Sequence, residues 1–460
     1  MRNPLVPRFA PLCLVILLHH MTTTVAGDSP YTYTPVEHIL LNSGSSGNYT
    51  ASDARIWIGD VNSKFLTHEQ SQSQSSLTTK AVKQAQTVPR VLFTDARLSL
   101  APFTYVFDVT AGQKFVRLHF HPASYSNFNR ANALFSVKVG GFTLLSNFSA
   151  SLNADADSKD TISREYCVNI EEGQRLNITF TPSHSVSNSY AFINGIEILS
   201  MPTNLYFTPV ADQGFDFTGL QNSYRVDNSS SLEMVYRLNV GGKTISPAED
   251  TGMFREWQDD FSYLKEYGLM LFLPFNNTID LKNTAKSRYT APESVYRTAR
   301  TLGNDSTINL SYNLTWKFPV DSGFDYRIRL HFCEFQPEII EVSDRRFHIF
   351  IANQTVEKEA DVIKWSGGNG VPVFKDYPVS MREGTEKKVN LYVAIGAAQK
   401  GETSYQDAIL NGIEIFKVSD NGNLAGPNPD PLPPKNSKGN RTTIISVAAD
   451  GVVGFIILPC

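Results

Sequence analysis

The chain has 460 residues, 41% of them hydrophobic and 11% aromatic, with a formal net charge of −4. Its length exceeds what one hydrophobic core supports, so two or more domains are expected. The near-neutral balance gives no electrostatic case for nucleic acid as a partner, and four cysteines exclude a disulfide-stapled scaffold.

At the N-terminus, Arg2 and Arg8 precede the apolar run Leu12-Cys13-Leu14-Val15-Ile16-Leu17-Leu18, and Thr24 and Ala26 suit cleavage before Gly27 or Asp28. Residues 1–26 are therefore expected to be a signal peptide. Asn-x-Ser/Thr sequons stand at Asn48, Asn147, Asn177, Asn228, Asn276, Asn304, Asn309, Asn313, Asn353 and Asn440, a density that fits N-glycosylation in the secretory pathway. With Cys13 in the leader and Cys460 terminal, Cys167 and Cys333 are left in the folded region, where free thiols are expected.

From residue 36 onward the chain repeats itself. Ile39-Leu40-Leu41-Asn42 answers Tyr236-Arg237-Leu238-Asn239, and Ala96-Arg97 answers Ala299-Arg300. Tyr105-Val106-Phe107-Asp108-Val109 answers Trp316-Lys317-Phe318-Pro319-Val320, and Arg117-Leu118-His119-Phe120 recurs as Arg329-Leu330-His331-Phe332. Ala191-Phe192-Ile193-Asn194-Gly195-Ile196-Glu197-Ile198 recurs as Ala408-Ile409-Leu410-Asn411-Gly412-Ile413-Glu414-Ile415. The offset grows in order from 197 to 217, as a duplicated domain with small loop insertions requires.

Within each unit the period is two: Phe115, Arg117, His119 and His121 oppose Val116, Leu118 and Phe120, and turns such as Gly140-Gly141 and Asp321-Ser322-Gly323 punctuate the runs. Such runs are half-buried strands, so the fold class is all-β, with two tandem β-sandwiches at 36–202 and 232–418. Residues 203–231 are expected to be a polar inter-domain linker, and the Ser/Gln-rich stretch 63–88 a mobile loop of unit one. Residues 419–441, rich in Asn, Gly and Pro, are expected to be a flexible extended linker. Residues 442–460 read as a partial apolar tail, a truncated transmembrane segment in which Asp450 costs about 2.5–3.5 kcal/mol on insertion.

Candidate chemistry is sparse. His119 and His121 share a strand face at a spacing that could chelate a metal, but no third ligand is apparent, and both are expected to be structural. Cys333 beside Glu334 lacks the base and orienting partner a nucleophile needs. Glu256, Asp259 and Asp260 near Trp257 supply carboxylates, yet glycoside hydrolysis needs two at a set separation that sequence neighbours do not fix. No catalytic residue, metal or cofactor is assigned. As glycan contacts the candidates are Tyr125 and Phe128 in unit one, and Glu334 and Phe335 at the matching place in unit two. As partner contacts they are Phe254, Trp257, Phe261 and Tyr263, where aromatics stand beside charges as in interface hot spots. Packing on their own core explains each of them as well.

These motifs resemble the ectodomain of plant malectin-like receptor kinases of the FERONIA type. The resemblance rests on Ile39-Leu40-Leu41-Asn42, Arg55-Ile56-Trp57-Ile58, Ala133-Leu134-Phe135-Ser136-Val137, Asp250-Thr251-Gly252 and Leu330-His331-Phe332-Cys333-Glu334, among others, and covers nearly all of 35–430. It implies two malectin-like domains on the extracellular face of the plasma membrane. They would sense secreted cysteine-rich peptides of the rapid alkalinization factor type with a GPI-anchored LORELEI-like co-receptor, and pectin as a further ligand. The family's Gly-rich loop, His-Arg-Asp and Asp-Phe-Gly kinase signatures do not occur here, so no enzymatic activity is expected of this chain. Ser43 departs from the Cys that the family usually carries there. The alternative reading is a lectin-like protein that binds cell-wall carbohydrate, or a soluble decoy without signalling.

Overall fold

The computed structural model describes residues 32–66, 76–216, 218, 223–265, 271–273, 280–284 and 288–432. The expected signal peptide, the apolar tail, Asn276 and Asn440 lie outside them. Alternating apolar residues build the sheets. In Gly112–Phe120, Val116, Leu118 and Phe120 enter the unit-one core, while Phe115, Arg117 and His119 turn to the opposite face.

One large sheet runs through the molecule. Its strands are β1 (His38–Asn42), β2 (Asn48–Thr50), β3 (Ile56–Gly59), β4 (Gly112–Phe120), β5 (Ile162–Ile170), β6 (Gly195–Ser200), β7 (Leu232–Asn239), β8 (Gln258–Asp259), β9 (Phe324–Phe332), β10 (Val373–Met381) and β11 (Gly412–Val418). They are ordered β2-β3-β1-β6-β4-β5-β7-β11-β9-β10, with β8 paired to β7. Unit one thus reads 3-1-6-4-5 and unit two 8-7-11-9-10, the same order in duplicate. The units join because β5, the last strand of the first, pairs antiparallel with β7 through Glu165↔Met234, Tyr166↔Glu233 and Cys167↔Leu232.

Each unit closes its core with a second, four-stranded sheet. In unit one this sheet is Phe103–Phe107, Leu176–Pro182, Leu134–Val139 and Phe142–Ser149; in unit two it is Leu314–Asp321, Lys388–Ala397, Phe347–Ile351 and Gln354–Ala360. Aromatic packing fills the first core, with Phe103 stacked on Phe180 at 5.0 Å between centroids. Each fully buried Leu, Ile or Phe contributes about 1.5–3 kcal/mol. Gly241 shows why the repeat keeps glycine after its first strand. Its φ is +70°, and a Cβ would stand 2.2 Å from the Ala299 carbonyl oxygen; Gly44 meets Ala96 in the same way.

Three connections differ from the sequence expectation. Residues 203–231 do not form a polar linker: Leu205, Tyr206, Phe207 and Val226 join Phe115, Cys167, Leu232 and Phe416 in a buried cluster between the units. The stretch 63–88 contains the strand Ser76–Lys80, paired with Asp95–Ser99, and its residues 67–75 lie outside the described set. Residues 419–432 fold back onto unit one as a strap. Thr143 N donates to the Gly422 carbonyl at 2.8 Å, Leu424 N donates back to the Thr143 carbonyl at 2.9 Å, and Leu424 is buried in the unit-one core. The Asn428 side chain accepts from Ser149 N at 2.9 Å. In the first and last of these, an apolar side chain inside a polar stretch finds a pocket the local sequence does not announce. Cys167 and Cys333 are free and buried.

Candidate partner-binding surface and its buried support

A buried triad recurs in both units. In unit one, Asp60 accepts from Arg97 at 2.6 and 2.9 Å and from the Tyr105 hydroxyl at 2.5 Å. In unit two, Asp260 accepts from Arg300 at 2.5 and 2.9 Å and from Trp316 Nε1 at 2.8 Å. Each carboxylate also takes a backbone N–H, from Gly44 and Gly241 respectively. A charge this deep persists only when its lone pairs are filled, as they are here. Asp260 is therefore committed to structure and is no free carboxylate for acid–base work. Ser43 Oγ lies 3.1 Å from the oxygen of that Tyr105 hydroxyl.

A second network crosses between the units. Glu197 accepts from Arg55 at 2.9 Å and Arg117 at 2.7 Å. Arg117 also binds Glu165 at 2.7 Å and reaches the Met253 carbonyl of unit two at 2.8 Å. Glu165 continues to Arg237 at 2.8 Å, Arg237 to Glu414 at 2.7 Å, and Glu414 accepts from the Tyr206 hydroxyl at 2.7 Å. Arg255 donates to that hydroxyl at 2.8 Å and forms a two-pronged pair with Asp250. Four arginines thus face these four buried carboxylates, and Arg55 also pairs with the less buried Asp53 at 2.7 Å. Burial pushes the Glu165 carboxyl up, but Arg237 and Arg117 outweigh it and hold it below the usual range. Glu197 and Glu414 are held down in the same way against burial, chiefly by Arg117 and Arg237 respectively.

The repeated histidines sit at the rim of this network. His331 lies between the Tyr296 hydroxyl at 3.0 Å and Glu414 at 3.1 Å. His119 contacts the Ser163 hydroxyl at 2.8 Å, while its other nitrogen is 3.9 Å from Glu197. Burial pushes both imidazoles down. His121 meets the Phe93 carbonyl at 3.0 Å.

Most of the residues proposed as contacts fold inward. Tyr125 is fully buried, donating to the His121 carbonyl and receiving Asn194 Nδ2, both at 2.8 Å. Phe128 packs edge-on against Tyr190 at 5.0 Å. Glu334 pairs with Arg345 at 2.7 Å, and Phe335 lies in the unit-two core. Trp257 is buried edge-on to His331 at 5.4 Å, and Tyr263 packs on Tyr236 and Phe318. Phe254, at φ +55°, stacks on His38 at 4.8 Å beneath the Arg55 guanidinium, so it joins the units. Phe261 is 55% exposed and within reach of a partner. Of the described sequons, Asn48, Asn147, Asn177, Asn228, Asn304, Asn313 and Asn353 are exposed. Asn309 is the exception: it is buried, and its Nδ2 donates to Gly303 O at 2.6 Å and Gln406 O at 2.8 Å, so this fold leaves no room there for a glycan.

Sequence inspection did not mark Arg55, Glu165, Asp250 and Arg255 as members of a buried network. A signal existed in the repetition of Glu197 as Glu414 inside matching apolar motifs, where a charge at a repeated position marks a shared buried partner.

Duplicated sandwiches fused along one sheet and tied by buried arginine–carboxylate pairs define a tandem ectodomain of the malectin-like class. The Malectin-like domain model matches residues 41–418, and the chain belongs to that family. It is 46% identical over 467 residues to the receptor-like protein kinase FERONIA of Arabidopsis thaliana, an alignment covering 98% of this chain and 51% of the relative. The chain spans about half the length of the curated relatives it matches, and it corresponds to their extracellular malectin-like region, not to the kinase. A crystal structure of the plant receptor-like kinase FER superposes with a TM-score of 0.78 at 46% identity, over 86% of this chain and 100% of the other. The crystal structure of the plant peptide RALF23 in complex with FER and LLG2 matches at 45% identity and TM-score 0.78, over 87% of this chain and 100% of the other. Among the described residues, no helix is long and apolar enough to cross a membrane.

Proposed function

We propose that this chain is the extracellular sensing region of a plant cell-surface receptor. It binds secreted cysteine-rich peptides of the rapid alkalinization factor type together with a GPI-anchored co-receptor, at the outer face of the plasma membrane. The observation that carries this reading is the likeness, at 45% identity over 87% of the chain, to the FER chain crystallised with RALF23 and LLG2. The single sheet that joins both units supports it, because a scaffold whose halves are already paired has less to order when partners dock. Tyr125 and Phe128, the unit-one candidates for glycan contact, are buried and packed, so they offer no open aromatic face to a sugar.

The test is calorimetric titration of the secreted chain with such a peptide and a purified LORELEI-like protein, singly and together. Tight association is expected when all three are present. Absence of heat and of a co-eluting complex in every combination would refute the reading. Phe261→Ala should weaken the ternary complex by about 1–2 kcal/mol if Phe261 anchors a partner.

A further inference from the structure

The open end of the large sheet carries an apolar row that stops at a sequon. Cross-strand partners run Leu118 on β4, Ile196 on β6, Leu41 on β1, Ile58 on β3 and Asn48 on β2. Partners in register share a face, about 4.5–5.5 Å apart at Cβ. Leu118, Ile196 and Leu41 are fully buried, whereas Ile58 is 46% exposed and its neighbour Ile56, paired with Thr50, is 57% exposed. The core face of unit one therefore extends past the layer that covers it, and Asn48 and Thr50, the two ends of one sequon, stand beside the uncovered isoleucines.

This strand is also an edge. Among the described residues, no strand pairs with the outer side of β2. The opposite edge, β10, is treated differently, since Thr218 N donates to Pro378 O at 3.0 Å. An edge strand with unpaired backbone groups beside exposed isoleucines is a template for self-association unless something bulky or charged blocks it. No charged side chain occurs in Asn48-Tyr49-Thr50.

We propose that Asn48 carries an N-linked glycan whose first sugars lie over Ile58 and Ile56, and that this oligosaccharide blocks pairing at the β2 edge. The C–H faces of the sugar rings cover the methyl groups, and the hydroxyls keep water at the edge. The proposal rests on the secretory-pathway reading above.

The test uses the chain secreted from plant cells, with occupancy read by mass spectrometry of its peptides and association by light scattering. Asn48 should be occupied, and buried Asn309 should be bare. Asn48→Gln and Thr50→Ala, which remove the sequon in different ways, should both shift the monomer to dimers or larger species and raise binding of an apolar dye. Adding Ile56→Thr and Ile58→Thr to Asn48→Gln should return the monomer, which distinguishes an uncovered patch from misfolding. An empty Asn48 in monomeric protein, or monomeric Asn48→Gln and Thr50→Ala with unchanged dye binding, overturns the proposal. If Asn147, Asn177 and Asn353 are occupied while Asn48 is empty, this proposal alone fails. If all exposed sequons are empty, the secretory-pathway reading fails with it.

Discussion

Units one and two share strand order, the Asp–Arg–aromatic triad and the Arg-x-His strand, yet they use the equivalent arginines differently. Arg329 and its neighbour Arg327 spend their carboxylate bonds on Asp376 inside unit two, and each gives one further N–H to a carbonyl of the connecting segment, Leu205 and Tyr206 respectively. Arg117 spends its guanidinium on Glu165, Glu197 and a carbonyl of the other unit. The two copies share the framework, and at the junction Arg117 adds to its in-unit pairs a bond that holds the copies together. Burial pushes the Asp376 carboxyl up, but the two arginines hold it well below the usual range.

The contrast breaks most sharply at those arginines. Arg117→Met and Arg329→Met each take one cation from a buried ion pair whose carboxylate a second arginine still reaches, and each should cost about 3–5 kcal/mol. Only Arg117→Met should split urea unfolding into two transitions, because only its partners span both units. A single transition in both variants would mean the units do not depend on this network for their coupling.

Next in size is the strap. Leu424→Ala empties a site in the unit-one core from a residue beyond unit two, and about 2–4 kcal/mol is expected, read from the denaturation midpoint. A negligible shift would show that the strap rests on unit one without supporting it. The triads give a smaller effect and a direct symmetry test. Tyr105→Phe and Trp316→Phe each remove one donor to a buried carboxylate, at about 1.5–3 kcal/mol apiece. Clearly unequal losses would show that the duplicated sites no longer carry equal weight.

The smallest effect is on pH dependence. Burial puts the folded pKa values of His119 and His331 below the unfolded value of about 6.5, so both are neutral in the fold. Their contribution is fully present above about pH 6.5 and falls as acid protonates the unfolded chain first. The depressed Glu165, Glu197 and Glu414 add a second loss below the unfolded carboxylate value of about 4.3. Urea midpoints between pH 7.5 and 5 should decline, and His119→Gln with His331→Gln should flatten that segment. A profile already flat in the unsubstituted chain would contradict the assigned protonation.

Much of the fold was readable before any coordinates. The drifting offset between Ile39-Leu40-Leu41-Asn42 and its later matches announced duplication, and alternation along Phe115 to Phe120 announced strands. The site was much less readable. Tyr125, Trp257 and Phe335 carry the composition of contact residues, but they were drawn into cores by neighbours far away in sequence. Leu205, Tyr206 and Leu424 sit among polar residues, and nothing local marks them as buried.

By itself, the sequence determined which residues share a face, that the unit occurs twice, and which family it belongs to, because period and repetition are local properties of the chain. Only the tertiary structure decided whether a face is covered. The polar face of Arg117, His119 and Glu197 has the alternation of a solvent-facing side. It is buried because β5 pairs with β7 and the segment bearing Met253 and Phe254 closes over it, and a pairing between distant edges leaves no trace in either strand alone.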